Sequence, residues 1–359
     1  MNNLQGKVAI VTGGTGGIGK AVALSLAVSA IAAMFFIGTP LPAQETETLK
    51  YTHVFPANHW VWTESFKIFE DKVTEYTDGK IKFENYHAGQ LGKETSTILK
   101  SGLADMGNFV PSYEATKLPL SSVAELPGNY TTACDGTAKF ANIIQEGGPL
   151  DVAEYRPLGI KVLYSVLTPP FQVMTTDQQV ASLEDMDGLK LRANGAAFNK
   201  TANLLGAVPV QITSAEFYDA LTRGTVDGGL WPVGSTRQVS LEDTLHYLVK
   251  GTQLGGGGLI FGINLSKWNQ LSPETQAAFE KAAAEVQQHL CSVLDKLDEN
   301  ETEWLVKEKG LVVTQLPTEE QARWAGQLKS VSEDWAQVMD SSGRQGSTVL
   351  RAFQEAPGL

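Results

Sequence analysis

The stretch LGAVPVQITSAEFYDALTRGTVDGGLW, residues 205–231, changes its hydrophobic period twice. VPVQI reads as a short apolar strand, EFYDALTRG as a helix closed by Gly224, and the chain then returns to strand as far as Trp231. Strand, helix and strand in immediate succession form the repeating unit of an α/β protein.

The same alternation continues on both sides. Upstream, LKLRANG is a strand followed by the helix AAFNKTANLLGA, and GIKVLYSVL and FQVMTT are strands before it. Nearer the start, LKYTHVF and KIKFENYH are strands around the helix WTESFKIFEDKVTEYTDG, in which Phe66, Phe69 and Val73 share a face and Gly79 is the stop. ETSTILKSGLADMG gives a helix ending at Gly102 and then a short strand. Downstream, residues 272–310 read as one long helix, with Ser272 as N-cap, Pro273 at the first helical position and Gly310 as terminator. Phe279, Ala282, Val286, Leu290, Val293 and Leu297 step along it by threes and fours, so one apolar stripe runs down much of its length. Such a helix suits an element that crosses two lobes.

A chain of 359 residues can bury a large core and fits two domains of ordinary size. Its apolar fraction of 42% and charged fraction of 19% are globular values. The net charge of −12 repels phosphate backbones and anionic lipid, which argues against nucleic acid as a partner. It does not exclude small anions, because one well-placed Arg outweighs charges screened beyond about 10 Å. Cys134 and Cys291 lie far apart with no CxxC spacing; they form one disulfide in an exported chain or remain buried thiols, and the sequence leaves both open.

The N terminus carries a competing signal. KVAIVTGG is a short apolar strand, and TGGTGGIG (residues 12–19) resembles the first turn of short-chain dehydrogenases, whose TGxxxGIG pattern matches Thr12, Gly13, Gly17, Ile18 and Gly19. That fold requires a second parallel strand and a ribose-selecting residue about 20 positions on. The chain instead runs AVALSLAVSAIAAMFFIGTPLPAQ without a charge, an export-signal core preceded by Lys20 and ending at Ala43, and marginal in length for a membrane span. YEATK (residues 113–117) fits the dehydrogenase Tyr-x-x-x-Lys pair, but Pro111 and Pro119 bracket it, whereas the enzyme needs both residues on one continuous helix. The alternative reading, a short-chain NAD(P)-dependent dehydrogenase, is therefore the weaker one. The expectation is an alien start of about twenty residues joined to a genuine signal segment.

Along nearly all of the remaining chain the residues resemble the solute-binding proteins of TRAP transporters. The match is carried, in the family's order, by YHAGQLGKE, SGLADMG, GIKVL, SLEDMDGLKLRANG, LGAVPVQITSAEFYDALTRGTVDGG and INLSKWNQLSPETQAAFEKAA. The resemblance implies a two-lobed periplasmic binding protein-like α/β fold, with hinge strands and a long lobe-crossing helix. Residues 1–43 would be the targeting segment, 44–167 and 256–298 lobe I, and 168–255 and 299–359 lobe II. It further implies a periplasmic receptor that is not an enzyme, captures a small organic anion and delivers it to a TRAP membrane permease, with no cofactor.

Arg192 matches the family's anion-binding Arg, and its planar fork suits a carboxylate. The competing reading of the residue alone is an ion pair with Glu184, Asp185 or Asp187. Asn194 belongs to the same RANG segment. The sequence departs from the family at PPFQVMTT, where Phe171 and Gln172 stand in place of a second Arg, and at LWPVG, where Trp231 precedes Pro232 in place of Asn-Pro. Two polar contacts are thus lost or weakened and two rings gained, so the expected ligand has one carboxylate and an apolar or aromatic body stacked on Phe171 and Trp231. Ordinary core packing is the competing reading of both rings. Tyr113, His53 and Asn58 lie at strand edges where α/β folds place ligands. No HExxH or paired-ligand spacing joins the histidines, so no metal site is expected. GGGG at residues 255–258 is read as a flexible or close-packed crossing near the hinge rather than a phosphate loop, since no Lys-Ser/Thr follows it.

Overall fold

The first sheet starts at β1 (Glu47–Thr52), which pairs in parallel with both β2 (Ile81–Tyr86) and β3 (Met106–Phe109). This computed structural model describes residues 46–358, and the dehydrogenase-like loop and signal segment lie outside the described residues. β4 (Ile160–Leu167) forms the far edge of this sheet, and the chain then crosses at residues 168–171 into a second sheet. There it forms β5 (Gln172–Thr175), β6 (Lys190–Arg192), β7 (Val208–Val210), β8 (Gly228–Trp231) and β9 (Tyr247–Lys250). It crosses back at residues 251–257 to β10 (Gly258–Asn264), and β11 (Val312–Gln315) later joins the second sheet. The strand orders are β2-β1-β3-β10-β4 and β11-β9-β5-β8-β6-β7.

The two crossings hold each other. Thr168 N–H donates to Gly257 O (2.9 Å), Phe171 N–H to Gly255 O (2.7 Å), and Gly257 N–H to Thr168 Oγ1 (2.9 Å). Gly255, with φ +78°, lies so close to Glu125 that a Cβ would sit 2.2 Å from its carbonyl oxygen. The glycine run is therefore a close-packed crossing.

Helix Pro273–Trp304 spans both sheets' cores. Ser272 caps it as its spacing predicts, accepting from Thr275 N–H, and Gly310 closes the following turn in the left-handed region. Its first half buries Phe279, Val286 and Leu290 among Phe66, Phe69 and Phe261 of the first sheet's core. Its end reaches the other sheet, where Asp298 accepts from Gly234 N–H at 3.0 Å and Leu305 enters the core of Leu248 and Val233. The choice left open for the cysteines is settled by a Cys134–Cys291 disulfide, which ties helix Ala133–Ile144 to this long helix. Asp295 reinforces the junction by accepting from the N–H groups of Ala133 (2.6 Å) and Cys134 (3.2 Å). Helix Thr318–Ser341 and helix Gly346–Glu355 end the chain, the latter placing Phe353 edge-on to Phe140 and Tyr130 on the first-sheet side.

Candidate functional site

Arg192 ends β6, whose start is fixed by Asp227: its carboxylate accepts from Lys190 N–H (2.8 Å) and its own N–H donates to Lys190 O (2.7 Å). β6 lies parallel to β8, and Gly229 on β8 faces the arginine, where a Cβ would come within 3.0 Å of Arg192 Cβ and 2.7 Å of Phe217. The Asp-Gly-Gly sequence thus pins one strand and leaves room for the arginine on the next.

Arg192 is 4% exposed. Its Nε donates to Ile212 O at 3.0 Å and Nη1 to Leu230 O at 3.2 Å, while the Trp231 and Phe217 rings face it at 5.0 and 5.8 Å. Among the described residues no carboxylate lies within ion-pair distance of it. The proposed local partners are engaged elsewhere: Glu184 pairs with Arg323, and Asp185 accepts from the N–H groups of Ala181 and Ser182. Burial pulls the Arg192 pKa down, against the Tyr113 hydroxyl and Glu125, but a guanidinium starts so high that it stays charged. Glu125 is the nearby acid, and burial raises its pKa to about 8, with a Ser112 hydroxyl and the Arg192 charge pulling back only in part. At neutral pH this carboxyl is mostly neutral and supplies little counter-charge.

Around Arg192 lies a cavity between the loops of the two sheets. The second sheet contributes Arg192, Asn194, Trp231 and Ser235, the first contributes Phe55, His59, Trp60 and Tyr113, and Phe171 of the crossing stacks on Phe198 at 4.7 Å. Five of the residues singled out in the sequence therefore converge: Arg192, Asn194, Trp231, Phe171 and Tyr113. Tyr113 and Lys117 do not act as a pair. Lys117 Nζ sits 2.6 Å from Glu94, and the Tyr113 hydroxyl bonds Ser214 across the cleft, 2.9 Å from Oγ and 3.2 Å from the donating N–H.

Three of the expected residues face elsewhere. Gln172, one position past Phe171, turns away and bonds Pro170 O and Thr252 at the back of the hinge. His53 is sealed by a 2.7 Å contact with His87 and stacking on Trp62. Asn58 is exposed to solvent. The histidine in the cavity is His59, six residues after His53, on the loop that brings Phe55 and Trp60 with it. The aromatic clustering in FPANHWVW signalled that loop.

Side-chain bonds that bridge the cleft include Tyr113 to Ser214 and Trp60 Nε1–H to Ser235 Oγ at 3.1 Å. Among the described residues no His, Cys, Asp and Glu cluster is arranged to hold a metal ion, and no helix is long and apolar enough to cross a membrane.

A cleft between two hinged sheets, closing on a cation that the protein leaves without a counter-ion, defines a solute-binding protein. The model of the bacterial extracellular solute-binding proteins of family 7, the DctP family, matches residues 51–338, and the chain belongs to that family, one of transport receptors. The C4-dicarboxylate-binding periplasmic protein DctP of Rhodobacter capsulatus is 26% identical over 348 residues, covering 95% of this chain and 97% of its own. Two solved structures share the fold. A TRAP solute-binding protein from Rhodoferax ferrireducens T118, in complex with copurified benzoate, superposes with a TM-score of 0.78 at 23% identity, covering 86% of this chain and 97% of its own. A marine metagenome TRAP solute-binding protein specific for aromatic acid ligands, with 3-hydroxybenzoate, gives 0.79 at 21%, covering 87% and 98%.

Proposed function

We propose that this TRAP-type solute-binding protein captures an aromatic or apolar monocarboxylate in the periplasm and delivers it to a TRAP membrane permease. One observation carries the reading: Arg192 is a buried cation with no ion-paired carboxylate among the described residues, opening onto a cavity walled by Phe55, Trp60, Phe171, Phe198 and Trp231. Desolvating a guanidinium without a partner is costly, so the arrangement favours a ligand that brings its own carboxylate. Arg192 offers the charge, Asn194 and Tyr113 flank it, and Phe171 and Trp231 sandwich the ligand body. The cavity has no second cation to match another carboxylate, unlike the ligand named for the Rhodobacter relative, and both structural neighbours hold single-carboxylate aromatic acids. Ligand contacts with both lobes exist only in the shut form, so binding moves the population toward closure about the paired crossings at residues 168–171 and 251–257.

The test is a thermal-shift and calorimetric panel of aromatic and aliphatic monocarboxylates, C4-dicarboxylates and uronic acids on the mature protein. Aromatic monocarboxylates should raise the melting temperature most, and Arg192→Ala should abolish their signal. Tighter binding of a dicarboxylate or uronic acid, or unchanged affinity in Arg192→Ala, rejects the reading.

A further inference from the structure

We infer that His59 is a specificity-determining residue: its ring lines the cavity, and its Nε2–H, which no acceptor among the described residues takes up, reads a second, hydrogen-bond-accepting group on the ligand. The inference rests on the carboxylate reading of Arg192 and names what that reading leaves open, the chemistry of the rest of the ligand.

The orientation of the proton follows from one backbone contact. Val61 N–H donates to His59 Nδ1 at 3.2 Å, so Nδ1 is an acceptor and carries no hydrogen. A neutral imidazole has one N–H, which must then be on Nε2. Burial pushes the ring's pKa down to about 3, which keeps it in this single-donor form at any physiological pH. Face stacking on Phe55, with centroids 4.5 Å apart, fixes the ring plane. The neighbouring Trp60 is itself tied across the cleft to Ser235, so the loop bearing His59 is held against the opposite lobe.

The cavity's polar lining is biased in one direction. The Trp231 indole N–H is a buried donor without a partner among the described residues. Trp60 N–H already occupies Ser235 Oγ, and Tyr113 and Ser214 satisfy each other. No ionised carboxylate lines the space. A ligand whose body is wholly apolar offers neither ring N–H an acceptor as it fills the cavity, whereas one with a carbonyl or ether oxygen can satisfy at least one of them. The class assigned is therefore a monocarboxylate carrying a ring and an additional acceptor oxygen.

Matched pairs of probes test this: phenylglyoxylate against phenylacetate, and 3- and 4-formylbenzoate against 3- and 4-methylbenzoate, titrated calorimetrically into wild-type protein and His59→Phe. In at least one pair the acceptor-bearing acid should bind wild type tighter by about tenfold or more. His59→Phe keeps a stacking ring and removes the donor, so it should bring that ratio close to one while retaining affinity for the acceptor-free acid. That retained binding also reports that the variant folds; if it does not fold, His59→Met is held to the same ratio. Equal wild-type affinities within every pair, an unchanged ratio in the variant, or an equal loss for both members would overturn the inference while the carboxylate reading stands. Failure of wild type to bind any of the six acids, or binding that survives Arg192→Ala, would instead overturn the carboxylate reading itself.

Discussion

Two arginines of the second sheet's side, Arg192 and Arg237, each lie over a tryptophan ring, at 5.0 Å from Trp231 and 4.2 Å from Trp304. What faces the rest of each guanidinium differs. Arg237 meets the carboxylate of Glu301, which is 2% exposed and takes Nε–H at 2.8 Å, an Nη2 contact at 2.7 Å and the Arg237 backbone N–H at 3.1 Å. Arg192, more deeply buried, is given two carbonyl oxygens and the Tyr113 hydroxyl, and no ion-paired carboxylate among the described residues. Where the protein supplies the counter-ion the arginine joins the long helix to the sheet, and where it withholds one the charge is left for something from outside.

The same substitution at the two sites should therefore have opposite signatures. Arg192→Met removes a cation that nothing in the fold neutralises. Carboxylate binding should fall by about 3 kcal/mol, on the order of a hundredfold, while the ligand-free denaturation midpoint holds or rises. A clear loss of stability without ligand would make Arg192 a scaffold residue like its counterpart. Arg237→Met strands a buried carboxylate instead, and should cost about 2 kcal/mol in denaturant unfolding with carboxylate affinity changed by no more than about twofold. If it weakened binding as much as Arg192→Met, the division between the two sites would fail.

How much of this the sequence carries depends on the kind of interaction. Arg192, Trp231 and Phe171 could be placed because a strand end and a lobe crossing constrain where their side chains point, and LKLRANG and DGGLW mark both features. The long helix was equally readable, because its cap, its stripe and its terminator lie within one segment. His53, Asn58 and Gln172 were misplaced for one shared reason: side-chain direction alternates along a strand, and the phase is lost where the strand ends. The turn after β1 carries His59 rather than His53 to the cavity, and the one-residue step from Phe171 to Gln172 reverses the face. Glu125 was invisible for another reason, since nothing local in SSVAELPG says that its carboxyl packs near an arginine distant in sequence. Helix Thr318–Ser341, by contrast, carries a local signal, since Leu328, Val331 and Trp335 step by three and four into the core.

Glu125 is the group that could turn Arg192 into a second Arg237, because its ionisation would place a counter-ion beside the guanidinium. Its folded pKa is raised by burial from the ordinary carboxylate range to about 8, so folding favours the protonated form. The stabilisation from that proton is fully present below the unfolded pKa near 4.5 and is lost as the pH rises toward and through 8. Ligand binding should hold near pH 6 and weaken several-fold above pH 8, when the new carboxylate competes for Arg192. Glu125→Gln, which keeps the shape and cannot ionise, should flatten both profiles and bind about as well as wild type near pH 6. A wild-type affinity independent of pH up to 9, or a variant as pH-dependent as wild type, would show that Glu125 never acts as that counter-ion.

The smallest effect expected concerns how the two sites are held rather than what they bind. Arg237 is fixed through Glu301, but the lobe facing Arg192 is held across the cleft by neutral bonds, one of them Trp60 Nε1–H to Ser235 Oγ. Trp60→Phe deletes that donor and keeps a ring in the wall. A net hydrogen bond is worth about 1 kcal/mol, and this one forms only where the lobes meet, so its loss should lower ligand affinity about threefold to tenfold. The change should appear in dissociation more than in association, because the bond holds the shut state rather than guiding encounter. Stopped-flow rates separate these, and a loss confined to the association rate would mean that Trp60 shapes the open cleft and takes no part in keeping it closed.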